Sequence, residues 1–433
     1  VSKSPETPGA GPKEAPYWTD PNPLPETAAD QALPAKTDVL IIGGGYTGLS
    51  AALRLRKSAV AATVIDKEQI GLAASSRNGG MVLTGLSGGL QNWISKFGRE
   101  QVGRFFAESL DAIDCVQRLV ADGRIECHFT RCGHLKAAYK PAHLEALKRE
   151  HEVLQSAFDH HTIVLPPNEL GGEINTSYYH GGLIDPRSAS IHPAKYMAGL
   201  RRMASAAGAD LHAGACAQHI EPVGNQFQVS TNRGTIRAGQ VLVATNAYTG
   251  RLTPWLQRRV VPVESMMIAT EELPLSMVRE LIAKDRMIFD TKHFLFYFRL
   301  SPDGRHLLFG GRPKSIRNSL AQNARIMYRD MVSVFPQLAQ YRVTHAWSGK
   351  VGFTWDRFPH IGQRDGLFYA MGYCGHGVAM ATYLGQKVAE MMLGTDDGTA
   401  FAANRFPAIP FYNGTPWFLP LAHRYFKTLD RLT

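Results

Sequence analysis

Three glycines stand at Gly43, Gly45 and Gly48, close behind an apolar run. The spacing GxGxxG suits a backbone turn against a pyrophosphate. The first glycine makes the tight turn, the second lets the chain approach the phosphates, and the third lets a helix pack on a strand. Tyr46 and Thr47 open that helix, whose N-terminus offers free N–H groups and the positive end of its dipole. Asp66, eighteen residues past Gly48 and followed by Lys67, is placed to accept hydrogen bonds from a ribose hydroxyl pair. The expected ligand is therefore a dinucleotide. No second fingerprint occurs, so either NAD is the only dinucleotide, or FAD stays bound and meets an organic substrate directly.

The elements around these residues are legible. Asp38-Val39-Leu40-Ile41-Ile42 reads as a buried strand, Leu49 to Lys57 as a helix, and Ala62 to Asp66 as a second strand. Strand, glycine turn, helix, strand is a βαβ unit and predicts an α/β fold. Apolar spacing predicts helices over Val102–Val120 and His143–Phe158 within a largely helical 94–160. Short strands follow at Asp210–Ala213, Gln226–Ser230 and Gln240–Val243. Residues 285–312 read as antiparallel strands around a Pro302-Asp303-Gly304 turn. Gly362 to Gly385 passes from strand to helix. Residues 1–36 hold 8 of the 25 prolines, which predicts an extended or disordered arm whose Pro16-Tyr17-Trp18 can dock on the body. Residues 401–433 hold 8 of the 41 aromatics, an enrichment that favours a tail packed on the body and leaves peripheral membrane contact as the alternative.

Composition narrows the class. Hydrophobic residues make up 44% and charged residues 19% of 433, which excludes a largely disordered or fibrous chain. The net charge of +10 is spread thinly. It suits an anionic substrate or a merely basic surface, and the lack of a basic stripe counts against nucleic acid. Five cysteines are few and odd in number, which points to a reducing, cytoplasmic setting rather than a disulfide framework. Cys127 and Cys132 with His128 and His134 raise the thought of zinc, but no second ligand pair stands at finger spacing, so no metal is expected. No run reaches the roughly 18 apolar residues of a membrane span. No signal peptide is visible, and the start at Val1 rather than Met suggests that upstream residues were removed.

Beyond the fingerprint, Ala73-Ala74-Ser75-Ser76-Arg77-Asn78-Gly79-Gly80 and Gly375-His376-Gly377 resemble the D-amino-acid oxidase/sarcosine oxidase superfamily of FAD enzymes. So do Val241 to Ala247 and Trp347-Ser348-Gly349…Thr354-Trp355-Asp356-Arg357-Phe358-Pro359-His360-Ile361-Gly362. The Pro-Tyr-Trp leader, Leu307-Leu308-Phe309-Gly310-Gly311 and Pro416-Trp417-Phe418-Leu419-Pro420 look most like its gamma-glutamylputrescine oxidase branch. The resemblance runs from about residue 16 to the C-terminus. It implies a discontinuous Rossmann-like FAD domain (37–93, 183–251, 345–400) and an antiparallel-sheet substrate domain (94–182, 252–344).

By position, the resemblance puts Gly43, Gly45 and Gly48 at the pyrophosphate, Asp66 at the ribose and the Ala217 backbone at adenine. Ser75 to Gly80 would follow the ribityl chain and flavin edge. Ala244, Thr245 and Gly372 would border the cofactor. Gly375, His376, Gly377 and Val378 would aim a helix N-terminus at the flavin N1/C2=O, where reduction places negative charge. His376 is there either for proton chemistry or as a turn residue. The cysteine of covalent relatives falls at Gly349 and their histidine at Arg77, so FAD is expected to be non-covalent. The oxygen-activating lysine of sarcosine oxidases falls at Leu308, which leaves oxidase or dehydrogenase open.

Alternation over 292–299 puts His293, Leu295, Tyr297 and Arg299 on one face. Arg299 is the candidate to grip a carboxylate and Tyr297 to orient an amine. The same pattern suits a strand whose polar face meets water. Trp355 and Lys350 are further pocket candidates, with plain core packing the other reading of Trp355. The expected activity is oxidation of an amine or amino acid at its C–N bond, gamma-glutamylputrescine-like amines favoured, with oxygen as acceptor and hydrogen peroxide as product. Rival expectations are an amine dehydrogenase using a protein or quinone, a tRNA-modifying flavoenzyme, and a flavin-binding module without turnover.

Overall fold

Val39 to Ile42 is apolar without alternation and therefore needs cover on both faces. In the computed structural model, strand Lys36–Ile42 lies between two parallel neighbours, Gly234–Val243 and Ala62–Ile65. Val39 and Ile41 face the main core of helices, while Leu40 and Ile42 pack against Val229, Ile236 and Val241 on the other side. Beyond Ala62–Ile65 the sheet adds Asp210–His212. Beyond Gly234–Val243 it adds Leu367–Met371 and the antiparallel edge His360–Arg364. An antiparallel ribbon, Ala217–Val223 with Gln226–Thr231, also joins Gly234–Val243. The structure describes residues 11–21, 23–25, 31–313, 318–395, 398–402 and 404–432.

Helix Tyr46–Lys57 packs along helix Gly377–Leu393. The approach is close: a Cβ on Gly385 would lie 2.5 Å from the Thr47 carbonyl oxygen, and Ser50 Oγ donates to the Thr382 carbonyl at 2.6 Å. This contact brings the first nucleotide-binding turn and the late Gly-rich turn together, although more than 300 residues separate them.

A second eight-stranded sheet runs Val343–Phe353, Val261–Thr270, Leu307–Gly311, Tyr297–Leu300, Met287–Asp290, His134–Ala137, Gly182–Asp185 and Ile163–Leu165. One face buries Ile268, Phe298 and Phe309 under Met327 and Met331 of helix Leu320–Val334. That helix starts with a capping box: Ser319 Oγ accepts the Gln322 N–H, and the Gln322 side chain accepts the Ser319 N–H. The other face borders the cavity described below.

Several expectations need correction here. Gly182–Asp185 and Val343–Phe353, assigned above mostly to the nucleotide domain, pair within this second sheet. Helices Arg99–Asp122 and Pro141–Phe158 match the apolar spacing, but the strand His134–Ala137 lies between them. Four residues are too few to announce a period. The strand expected over 292–299 begins only at Tyr297, because Asp290 Oδ1 accepts the N–H groups of both Lys292 and Phe296 and folds the intervening residues into a turn.

In the arm, Trp18 is fully buried among Ala194, Met267, Leu308 and Trp347. Lys13 exchanges backbone hydrogen bonds with Thr344 and Ala346, covering the edge of the second sheet. In the tail, Ile409 and Tyr412 bury against Val261, joined by Phe418 and Leu419, before the final helix Leu419–Leu432. Among the described residues, no helix is long and apolar enough to cross a membrane.

Candidate active site

The fingerprint turn has the geometry its spacing demands. Gly43 sits at φ +113°, where a Cβ would meet the Ala244 carbonyl oxygen at 2.8 Å. A Cβ on Gly48 would lie 1.9 Å from the Gly43 carbonyl oxygen, so the helix can rest on the strand only without a side chain there. Asp66 follows the second strand; its Oδ2 accepts the Gly44 N–H at 2.8 Å and its Oδ1 the Glu68 N–H at 3.0 Å. Burial raises its pKa, and each oxygen keeps a lone pair for a ribose hydroxyl. The Ala215 N–H donates to the Asp66 carbonyl at 2.8 Å, two residues before Ala217 opens strand Ala217–Val223. Ser75 Oγ accepts the Tyr46 N–H at 3.2 Å, while the Tyr46 ring itself is buried against Tyr196. Thr47 is bonded to the Tyr373 hydroxyl at 2.7 Å, and Thr245 to the Thr249 hydroxyl at 2.7 Å. Lys67 lies 6.0 Å from the Tyr248 ring.

At the other end, helix Gly377–Leu393 points its N-terminus into a cavity of about 470 Å³ beneath the second sheet. Gly375 at φ +101° and Gly372 at φ +86° shape the turn before it. Gly372 donates its N–H to Asn246 Oδ1 at 3.0 Å. The first turn carries neither an acidic residue nor a side-chain cap, so its amides stay open toward the cavity. Opposite stand Tyr297, Ser265, Met267, Trp347, Gly349 and Lys350 from the sheet. Gly310 makes room for Tyr297, since a Cβ there would strike its ring carbon at 2.3 Å. The Tyr297 hydroxyl bonds to Ser265 Oγ at 2.9 Å, and burial raises its pKa to about 12.

The cavity gathers Arg77, Asn78, Gly79, Gly375, His376 and Val378 of the expected cofactor residues, with Tyr297 and Lys350 of the expected pocket. Ser76, Gly80, Arg299 and Trp355 are among those that do not line it. Ser76 is fully buried and donates to the Leu72 carbonyl at 3.2 Å. Gly80 lies behind the turn, its carbonyl taken by Arg299. Arg299 is buried and spends its guanidinium on the carbonyls of Gly80, Ile191 and Leu300 at 2.9–3.0 Å, so it staples backbone and has no fork free for a carboxylate. Trp355 is 62% exposed in the loop after Phe353 and forms neither wall nor core.

One arginine was missed. Arg312, directly after strand Leu307–Gly311, lines the cavity between the rings of Phe294 (5.4 Å) and Phe353 (5.2 Å). It makes no ion pair among the described residues. Burial, then Arg357, pulls its pKa down to about 10, which leaves it cationic at neutral pH. Its one sequence signal was its place next to Gly310-Gly311. Other cavity charges are paired, Lys136 with Glu150 at 2.7 Å, Lys292 with Asp290 at 3.0 Å, and Asp185 with His160 at 2.8 Å, while Arg77, Lys350 and Arg357 also line the cavity. Cys374 donates to the Gly372 carbonyl, and burial lifts its pKa to about 11, so it stays a neutral thiol.

These residues fit FAD. The glycines form a phosphate cradle that side chains would fill, and the Asp66 carboxylate stands beside it, bonded to the Gly44 N–H. His376 Nδ1 is shut off from solvent with no hydrogen-bond partner, as expected of a group that faces a ligand.

The comparisons agree. The sequence pattern of the DAO family, described as FAD dependent oxidoreductase, matches residues 38–391. The chain is 36% identical over 376 residues to the probable oxidoreductase OrdL of Rhizobium meliloti, covering 86% of this chain and 87% of that protein. It is 29% identical over 403 residues to the gamma-glutamylputrescine oxidoreductase of Escherichia coli, covering 91% and 93%. In fold it is similar to the glycine oxidase of Geobacillus kaustophilus, with a TM-score of 0.70 at 20% identity over 87% of this chain and 100% of that one. The L-proline dehydrogenase of P. horikoshii gives 0.69 at 22% identity over 85% and 96%. Since the family pattern spans the nucleotide cradle, the sheet and the helix end that meet around the cavity, the chain belongs to the DAO family of FAD-dependent oxidoreductases.

Proposed function

We propose that the chain oxidises the C–N bond of an amine or amino acid, with gamma-glutamylated polyamine-type amines as favoured substrates and polyamine breakdown as the setting. The observation that carries this reading is Arg312, a cation without an ion-pair partner among the described residues, set between aromatic rings in the cavity that faces the helix end. Bound FAD supplies the two-electron acceptor: the amine gives up a hydride and a proton, water splits the resulting imine into a carbonyl compound and an amine, and oxygen takes the electrons as hydrogen peroxide. Arg312 would hold a substrate carboxylate, and Tyr297 would orient the amine nitrogen. The amides of Gly377 and Val378 would stabilise negative charge on the reduced ring. Lys350 contributes positive potential at the far wall.

Burial drives the pKa of His376 down to about 4, so it is neutral at working pH and acts through hydrogen bonding. The pH profile of flavin reduction is expected to keep its shape in His376→Asn. Loss of an ionisation near the ordinary 6.5 in that variant would show that His376 titrates.

A second reading, a dehydrogenase that passes electrons to a protein or quinone, draws on Leu308, which is fully buried and presents no lysine. Turnover with oxygen set against turnover with an artificial dye separates the two. A cytoplasmic location accords with the free cysteines. Phe411, Trp417, Leu421 and Tyr425 are the exposed residues through which a peripheral membrane contact would be made. The test of the main reading is an anaerobic screen of amines for bleaching of the flavin absorbance. Bleaching by carboxylate-bearing amines is expected, and its absence across the panel would exclude the reading.

A further inference from the structure

We infer that the C-terminal helix Leu419–Leu432 is a specificity element, forming the outer wall of the substrate cavity and fixing the turn that carries part of its lining. The inference rests on the reading of this cavity as an amine site. The helix lies beyond the 38–391 matched by the family pattern, yet its Phe426 lines the cavity. The fold shared with the glycine oxidase uses all of that enzyme but 87% of this chain, so this chain carries structure beyond the common frame.

The helix is clamped to one place. The turn between Asp290 and Tyr297 lies outside the sheet ladder, so the N–H groups at its tip need another partner. The Asp430 carboxylate takes them, accepting from His293 at 2.7 Å and from Phe294 at 3.0 Å. Ring contacts reinforce the clamp: His293 on Phe426 at 5.1 Å and Phe294 on His423 at 4.4 Å. Lys292, His293 and Leu295 of this turn line the cavity, and Phe294 supports the Arg312 guanidinium. Arg357 lies 5.9 Å from the Phe426 ring, on the same rim. The helix therefore sets both the width of the cavity at Phe426 and the position of its polar residues. A rigid ring at this wall admits a slender, unbranched amine and excludes a wide one.

The test uses the full-length, FAD-loaded protein and carboxylate-bearing amines of graded width, from 4-aminobutanoate to 4-(aminomethyl)benzoate. Binding is read from perturbation of the flavin band and reduction from anaerobic bleaching. Phe426→Ala is expected to shift the preference toward the wide amines by about tenfold while FAD content stays unchanged. Leu421→Gln, on the exposed face of the same helix, is expected to shift nothing. Asp430→Ala is expected to speed amide hydrogen exchange at His293 and Phe294, a readout that needs no substrate. An unchanged width preference in Phe426→Ala, with wild type reduced normally, overturns the wall. Unchanged exchange in Asp430→Ala overturns the clamp. If no amine reduces or perturbs the wild-type flavin, the amine-oxidising reading fails, and the exchange result still decides the clamp.

Discussion

Gly48→Val is expected to purify without flavin. A Cβ at this position would sit 1.9 Å from the Gly43 carbonyl oxygen. The obstacle is backbone, held in place because the Gly43 N–H donates to the Ile65 carbonyl at 2.9 Å. The helix must therefore back away from the strand and take its N-terminal amides with it. Overpacking of this kind costs about 1–3 kcal/mol of stability. The loss in FAD affinity is expected to be larger, about 100-fold or more, because the phosphate contacts depend on the turn as a unit. Absorbance at the flavin band relative to protein, with thermal unfolding alongside, measures both. Gly349→Ala is the comparison: its Cβ would meet only Arg77 Cβ at 3.8 Å, and it is expected to keep its flavin.

The second large effect separates two arginines. Arg312→Ala is expected to raise KM about 100-fold for an amine that bears a carboxylate and to leave a carboxylate-free amine nearly unchanged. Arg299→Ala should lower stability instead. It removes hydrogen bonds to three backbone carbonyls and leaves them buried, a loss of about 2–4 kcal/mol in stability with no preference between the substrates. Steady-state kinetics on the two amines, with urea denaturation of both variants, decides the matter. Equal loss on both substrates in Arg312→Ala would remove that residue from carboxylate recognition.

The contrast also marks where sequence reasoning reached and where it stopped. Gly43, Gly45, Gly48 and Asp66 were legible because their chemistry lies in local spacing: turn, helix start and strand end follow within two dozen residues. Tyr297 was placed on the cavity side by alternation that held for the true strand. Arg299 was misread because alternation says which face a side chain leaves from, and nothing about which carbonyls meet it. Here the loop around Gly80 and Ile191 closes over it. Arg312 lies past the strand end, where no period applies. The aromatic tail announced that it packs, but its seat beside the Asp290–Tyr297 turn depends on a contact 137 residues away in sequence. His134–Ala137 and the allocation of Val343–Phe353 to the second sheet depend on pairing that only the folded chain reveals.

The most direct test of the account is the visible spectrum of the purified protein, followed by acid precipitation and analysis of the supernatant. The account predicts an oxidised-flavin spectrum and release of intact FAD into solution, since Gly349 and Arg77 offer no covalent anchor. A protein that is colourless and takes up no FAD on incubation would contradict it. Flavin that stays with the precipitate would contradict the non-covalent cradle.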